Sequence, residues 1–298
     1  MNDLLRRKDA KIVSLRELLA QSEPVLAPGA YDALSARIIE QAGFPAVYMT
    51  GFGTSASLLG RPDVGLLGLS EMVGNAARIA QVVDVPVIAD ADTGYGNPLN
   101  VIRTVREYER AGVSAIHIED QILPKKCGHM ENKQVLAAEE MVEKIRAAME
   151  ARRTPDFLII ARTDARAPEG LHSALKRAQK YREAGADLLF IEGPQSEEEV
   201  AEVARAFPQV PLLFNWAEGG KTPPMPLDRL KELGYRLIIF PISALLVAAK
   251  AVREVMAQIH KDGTPIHAAR DFMSFKEFNT LAGLPEIQQI ERKFSVQK

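Results

Sequence analysis

Eight short apolar runs, each closed by turn residues and followed by a helix-patterned stretch, recur along this chain and restrict its fold more than any other feature. They are VLAPG (25–29), AVYMT (46–50), PVIAD (86–90), AIHIE (115–119), FLIIAR (157–162), LLFIE (188–192), PLLFN (211–215) and LIIFP (237–241). None alternates polar with apolar residues as a half-exposed antiparallel strand does, so each is expected to be a parallel strand buried on both faces. The intervening stretches, such as NVIRTVREYERAG and LHSALKRAQKYREAG, space their apolar residues by three and four, as amphipathic helices do. Gly43, Gly112, Gly185 and Gly234 each follow such a stretch, where a left-handed glycine closes a helix.

Eight strand–helix units in about 250 residues suit a closed parallel barrel better than an open doubly wound sheet, which usually has fewer strands. The expected fold is therefore α/β, a (β/α)8 TIM barrel, in a single domain over 1–298 with the barrel at about 25–260. A chain of 298 residues with 47% hydrophobic content can bury one such core. Helix-like segments at 244–260 and 266–282 exceed what an eighth unit needs. A C-terminal helical extension over about 261–298 is expected to pack on a neighbouring subunit in a homo-oligomer.

Charge narrows the partners. With 37 basic against 39 acidic residues and a net charge of -2, the chain offers no footprint for nucleic acid or an anionic membrane, so a small molecule is expected. The longest apolar stretch, 237–249, is interrupted by Pro241 and Ser243 and falls short of the roughly 20 residues that span a bilayer. The N-terminus, MNDLLRRKDA, lacks the apolar segment of a secretory signal, and Arg6, Arg7, Lys8 and Lys11 read as a solvated helix face. A single cysteine cannot form an internal disulfide, which fits a reducing cytoplasm.

In parallel barrels the active site forms at the C-terminal strand ends. Those ends are polar here: Tyr48 and Thr50; Asp90 and Asp92; Glu119 and Asp120; Arg162 and Asp164; Glu192; Asn215; Ser243. Any one of them could simply cap the next helix. Together, so many carboxylates around one mouth would repel each other without a cation. Asp90, Asp92 and Glu119 supply hard oxygen donors suited to Mg²⁺, with Mn²⁺ as a substitute, whereas one Cys and five scattered His give no zinc pattern. The other reading of the aspartate pair is an Asx turn.

The segment QILPKKCGHMENK after the fourth strand sets Cys127 among Lys125, Lys126 and His129, beside Gly128. Neighbouring positive charge would lower a thiol's pKa toward neutrality and fit it for acid–base work. The other fate of a lone cysteine is burial as a small apolar residue. Trp216 could line a pocket or pack beneath a loop.

With KKCGH at 125–129, the chain resembles the isocitrate lyase and phosphoenolpyruvate mutase superfamily, in which that pentapeptide is the lyase signature. The resemblance runs through PGAYDALSA (28–36), YMTGFG (48–53), DADTGYGN (90–97), HIEDQ (117–121) and ARTDA (161–165). It implies a barrel, Mg²⁺, a mobile gating loop that carries the cysteine, and a homotetramer that swaps a C-terminal helix.

By position, the resemblance implies metal-shell roles for Asp90, Asp92, Asp63 and Glu119. Thr50, Gly51 and Phe52 would hold a substrate carboxylate, and Arg162 an anionic oxygen. Asn215, Thr222 and Ser243 would hold the far carboxylate, with Lys126, Gly128, Glu192 and Asp90 also at the substrate. Cys127 would be the acid–base group, assisted by His129, and Tyr48 or a metal-shell carboxylate the base.

The expected reaction is retro-Claisen cleavage of a 2-hydroxydicarboxylate to a 2-oxo acid and a carboxylate. Methylisocitrate lyases of the family typically carry an arginine shortly after the eighth strand and Glu-Phe-Gly after the seventh-strand asparagine. This chain has Ser243, Ala244, Leu245 and Leu246 at the first place and Glu218, Gly219 and Gly220 at the second. Both departures, and the C-terminal MSFKEFNTL, favour the branch of 2,3-dimethylmalate lyase and petal death protein. The alternatives are 2-methylisocitrate lyase, an oxaloacetate hydrolase, a carboxyphosphonoenolpyruvate or phosphoenolpyruvate mutase, and a non-catalytic dicarboxylate-binding scaffold.

Overall fold

The computed structural model describes residues 13–128, 130–269 and 272–295. The predicted strands are all present, as β1 (Val25–Ala30), β2 (Val47–Met49), β3 (Val87–Asp90), β4 (Ala115–Glu119), β5 (Leu158–Thr163), β6 (Leu188–Ile191), β7 (Leu212–Asn215) and β8 (Tyr235–Phe240). They pair in parallel and in sequence order, and β8 closes on β1 with Val25 opposite Leu237. The sheet is thus the expected closed eight-stranded barrel.

Helices α1 (Leu15–Leu19), α2 (Ala33–Gln41), α3 (Gly51–Leu59), α4 (Leu69–Val82), α5 (Pro98–Arg110), α6 (Ala138–Ala151), α7 (Arg166–Glu169), α8 (Leu171–Glu183), α9 (Glu197–Ala206) and α10 (Leu227–Glu232) accompany the strands, and α11 (Ser243–Asp262) follows β8 in the chain. Their starts carry local signals. Asp32 accepts the Ser35 N–H at the head of α2, and Asn97 caps α5 with Pro98 in the first turn. At the far ends, Gly43, Gly112, Gly185 and Gly234 have φ of 90°, 89°, 110° and 86°, as a left-handed helix stop requires.

Two apolar layers hold the barrel. Val47, Met49, Val87, Ala89, Ile116, Ile118, Ile159 and Leu189 face outward onto the helices. Ala46, Tyr48, Ile88, Ala115, Leu158, Ile160, Leu188, Phe190 and Leu213 face inward, and Leu15 and Leu19 of α1 join them. Strand parity then positions the site, because successive side chains alternate between the faces. Following the inward set toward the C-terminal ends leads from Tyr48 to Thr50, from Ile88 to Asp90, from Ala115 to Glu119, from Ile160 to Arg162, from Phe190 to Glu192 and from Leu213 to Asn215. Apolar residues fill the barrel below, and polar ones crowd its mouth.

Residues Val13–Ala244 form one compact unit, and those from Leu245 onward belong to a second. The second departs from the predicted helix at 266–282. Helix begins only at α12 (Phe275–Leu281), where Ser274 and Glu277 form a capping box, and Gly283 separates it from α13 (Leu284–Phe294). No helix among the described residues is long and apolar enough to cross a membrane. The basic cluster Arg6–Lys11 lies outside the described residues.

Candidate active site

The barrel mouth holds a cavity of about 250 Å³. Of the predicted site residues, Tyr48, Thr50, Phe52, Asp63, Asp90, Glu119, Lys126, Cys127, Gly128, Arg162, Glu192 and Asn215 line it. Asp92 lies just outside the lining, in a groove with Tyr95 and Lys125. Gly51, Thr222 and Ser243 are also outside. Gly51 backs the site: a Cβ there would stand 2.3 Å from Asp90 Oδ2. Thr222 buries an Oγ1 with no hydrogen-bond partner, and Ser243 Oγ donates to Glu218 Oε1. His129 lies outside the described residues. Trp216 packs against Phe240 and donates to the Met225 carbonyl, away from the lining.

Thr50 ends β2 and caps α3, its Oγ1 accepting the Gly53 N–H at 3.2 Å. The first two N–H groups of the helix, those of Gly51 and Phe52, have no intrahelical acceptor and can take an anionic oxygen. On β3, Asp90 Oδ1 accepts the Asp92 N–H at 2.9 Å, so the Asx turn does form, and Asp92 adopts φ of 46° within it. The turn and the acidic cluster coexist, because the acceptor that tightens the chain is the Asp90 carboxylate itself.

Lys125 binds that cluster from above. Its buried Nζ lies 2.6 Å from Asp63 Oδ1 and 2.6 Å from Asp92 Oδ1. Burial disfavours the ammonium, but Asp92, Asp90, Asp63 and Glu119 overcome this and raise its pKa well above the ordinary lysine value. For Asp92 burial wins: helped by Asp90 and Asp63 against Lys125, it lifts the carboxyl to about 7. Burial also works against charge on Asp90, yet His117, Lys125 and Arg162 hold it below the usual range. Glu119 is pushed up, chiefly by burial.

Tyr48 and His117 lie beneath, with the phenol 2.8 Å from His117 Nε2. Burial, then Asp90, pushes the phenol well above its ordinary pKa, and burial lowers His117 to about 4. A phenol so placed keeps its proton at neutral pH. The sequence reading did not single out His117. Its signal was a polar residue at an inward position in the middle of an otherwise apolar strand.

Arg162 is surrounded by carboxylates. Its Nε lies 2.8 Å from Asp164 Oδ2 and 3.2 Å from Glu119 Oε2, its Nη2 3.4 Å from Glu192 Oε2, and its guanidinium carbon 4.9 Å from the Phe190 ring centre. Behind it, outward-facing Asp120 accepts from Thr163 Oγ1, the Asp164 N–H and Tyr181 OH at 2.7, 2.9 and 2.7 Å.

The Cys127 loop closes over this arrangement. Cys127 is half-buried, and its N–H donates to the Asp63 carbonyl at 3.1 Å. Gln121 brackets the preceding residue, accepting the Lys126 N–H and donating to the Lys126 carbonyl. Gly128 presses so close that a Cβ would stand 2.5 Å from Arg162 Nη2 and 2.7 Å from Glu192 Cδ. The two lysines that precede the cysteine have partners of their own. Lys125 faces the aspartates, and Lys126 Nζ donates to the Glu131 and Asn132 carbonyls. Lys133, not anticipated, buries its ammonium against Asp164 Oδ1 at 2.6 Å.

The oxygen-rich donor set suits a hard cation. Among the described residues no three His, Cys, Asp or Glu side chains converge enough to chelate a metal unaided. Mg²⁺ typically binds through one or two carboxylates and keeps several waters. The Lys125 ammonium between Asp63 and Asp92 demonstrates that this cluster is built around positive charge.

A family model for phosphoenolpyruvate phosphomutase matches residues 15–260. The chain belongs to the phosphoenolpyruvate mutase/isocitrate lyase superfamily. Among its relatives, a 2,3-dimethylmalate lyase of Eubacterium barkeri is 49% identical over 94% of this chain and 97% of its own. A 2-methylisocitrate lyase of Aeropyrum pernix is 46% identical over 94% of this chain and 90% of its own. The crystal structure of a 2,3-dimethylmalate lyase superposes with a TM-score of 0.89 at 42% identity, covering 93% of each chain. That of a phosphonopyruvate hydrolase complexed with oxalate and Mg²⁺ superposes with a TM-score of 0.86 at 34% identity, covering 94% of this chain and 97% of its own.

Proposed function

We propose that this superfamily member is a Mg²⁺-dependent carbon–carbon lyase that cleaves a 2-alkylmalate, with 2,3-dimethylmalate as the best candidate, to pyruvate and propionate. The observation that carries the reading is the distribution of charge in the cavity. Its cationic lining residues, Lys125, Lys126 and Arg162, come from β5 and the loop after β4. Among the described lining residues, the β7–β8 side offers Asn215, Ala217, Glu218, Gly219, Gly220, Ile239, Pro241 and Ile242, with no cation to neutralise a third carboxylate. A methyl group suits that side better than the carboxymethyl arm of methylisocitrate.

The chain's own groups support the chemistry. The Gly51 and Phe52 N–H groups and Thr50 would hold the carboxylate next to the 2-hydroxyl, with Asp63, Asp90, Asp92 and Glu119 as the metal shell. When bound, Mg²⁺ supplies Lewis-acid polarisation of the hydroxyl and its carboxylate. A carboxylate of the acidic cluster takes the hydroxyl proton, and the electron pair of the C2–C3 bond passes to the departing fragment. Arg162 and Asn215 stabilise the resulting enediolate, with His129 assigned the same task from the resemblance. The Cys127 thiol delivers the proton to C3 while the loop keeps water out.

We also place the enzyme in the cytoplasm as a homotetramer. Val247, Ile266 and Phe275 of the C-terminal unit are 71%, 71% and 83% exposed, an apolar load suited to a second subunit.

The test is a panel of 2,3-dimethylmalate, 2-methylisocitrate, oxaloacetate and phosphonopyruvate, read by release of 2-oxo acid or oxalate. The dimethylmalate should be turned over with the highest kcat/KM. Turnover of methylisocitrate alone, or of oxaloacetate to oxalate alone, overturns the substrate, and binding of the acids without any turnover supports the scaffold reading.

A further inference from the structure

We infer that Lys133 is a positioning residue which clasps the Cys127 loop shut and lends its charge to Arg162 only while the loop is closed. The inference rests on the reading of this loop as a gate and is independent of the substrate's identity.

The clasp is a single buried ammonium with two partners. Lys133 Nζ donates to the Gly128 carbonyl, next to the cysteine, and lies 2.6 Å from Asp164 Oδ1 at the end of β5. Its side chain is 1% exposed. A lysine is seldom buried to this degree unless its charge is fully paired, so the position has a purpose beyond filling space. Asp164 cannot follow the loop outward, because its N–H is fixed to Asp120 Oδ1 and its carboxylate to Arg162 Nε. An opening that carries Lys133 outward with the loop therefore breaks the Lys133–Asp164 contact.

The same contact changes what Arg162 offers an anion. Asp164 Oδ1 accepts from both Lys133 and Arg162 Nη2, the latter at 3.2 Å. With Lys133 withdrawn, one guanidinium would face Asp164, Glu119 and Glu192 unaided, and its charge would be more than neutralised. With Lys133 seated, the second cation offsets Asp164, and the surroundings of Arg162 repel an anionic ligand less. Closure then strengthens anion binding, and by linkage a bound anion favours closure.

The probe is oxalate with Mg²⁺ on the full-length protein. In the wild type, limited acetylation of Lys133 and tryptic cleavage after Lys126 should fall together as oxalate is added, since one opening event exposes both. Lys133→Met should bind oxalate about tenfold more weakly and lose most protection at Lys126, within the usual range of coupling between linked sites. Lys133→Arg, which keeps the charge, should recover part of that protection. Wild-type protection at both positions in Lys133→Met, with unchanged oxalate affinity, overturns the inference. So does acetylation of Lys133 that ignores oxalate while cleavage at Lys126 responds. If Lys133→Met fails to fold, the wild-type labelling decides alone. A protein inactive on every acid of the panel, yet showing the coupled protection, would contradict the proposed reaction and leave the clasp standing.

Discussion

The Lys125 ammonium sits 2.6 Å from Asp92 Oδ1, so the loop that carries Cys127 inserts its own positive charge into the acidic cluster of the barrel mouth. The cysteine loop and the acidic cluster are therefore one electrostatic unit. A divalent cation entering this cluster competes with Lys125 or shares its carboxylates.

Lys125→Met should expose that competition. Without the ammonium, buried Asp92 loses its partner and takes up a proton at neutral pH, and the metal-free protein should lose about 1–3 kcal/mol of stability. Mg²⁺ should restore more of it in the variant than it adds to the wild type, as read by urea unfolding with and without the metal. Chelation should abolish turnover in both proteins.

Cys127→Ser should lower kcat by roughly 10²–10⁴-fold, the usual range for a positioned acid–base group, while oxalate affinity stays near that of the wild type. Steady-state kinetics and calorimetric titration separate the two effects. Full activity in this variant would remove the thiol from the mechanism.

Gly128→Ala tests the seat of the loop. The added methyl would collide with Arg162 and Glu192, both buried and held by partners, so the loop rather than the barrel should yield. A misplacement of about 1 Å at a catalytic group can cost roughly 100-fold in rate, and kcat should fall by that order with an unchanged melting temperature. Oxalate protection of the Lys126 bond against trypsin should weaken in parallel.

Asp164 gives a signed pH dependence. Burial opposes its charge, but Arg162 and Lys133 outweigh burial and hold its pKa below the ordinary aspartate value. The folded protein therefore binds fewer protons here than the unfolded chain, and the stabilisation is complete above about pH 4, the unfolded pKa. It is lost as pH falls from there toward the lower folded value. Stability measured between pH 5 and pH 2.5 should drop less steeply in Asp164→Asn than in the wild type.

The sequence determined the barrel by itself. Eight uninterrupted apolar runs can only be strands covered on both faces, and four glycines mark where helices stop, because both signals are local and each residue carries its share of them. The polar strand ends and the cysteine loop were legible for the same reason. Tertiary structure alone decided which charges meet. Lys125 and Lys126 flank the cysteine in sequence yet face aspartates and carbonyls, whereas Lys133, five residues beyond Gly128, returns to hold it. His117 stood unremarked in an apolar strand until closure of the barrel set it against Tyr48 and Asp90. Ion pairing acts through space and reads no sequence order, so its partners are fixed only when the strands curl round and bring distant ends of the chain to a common mouth.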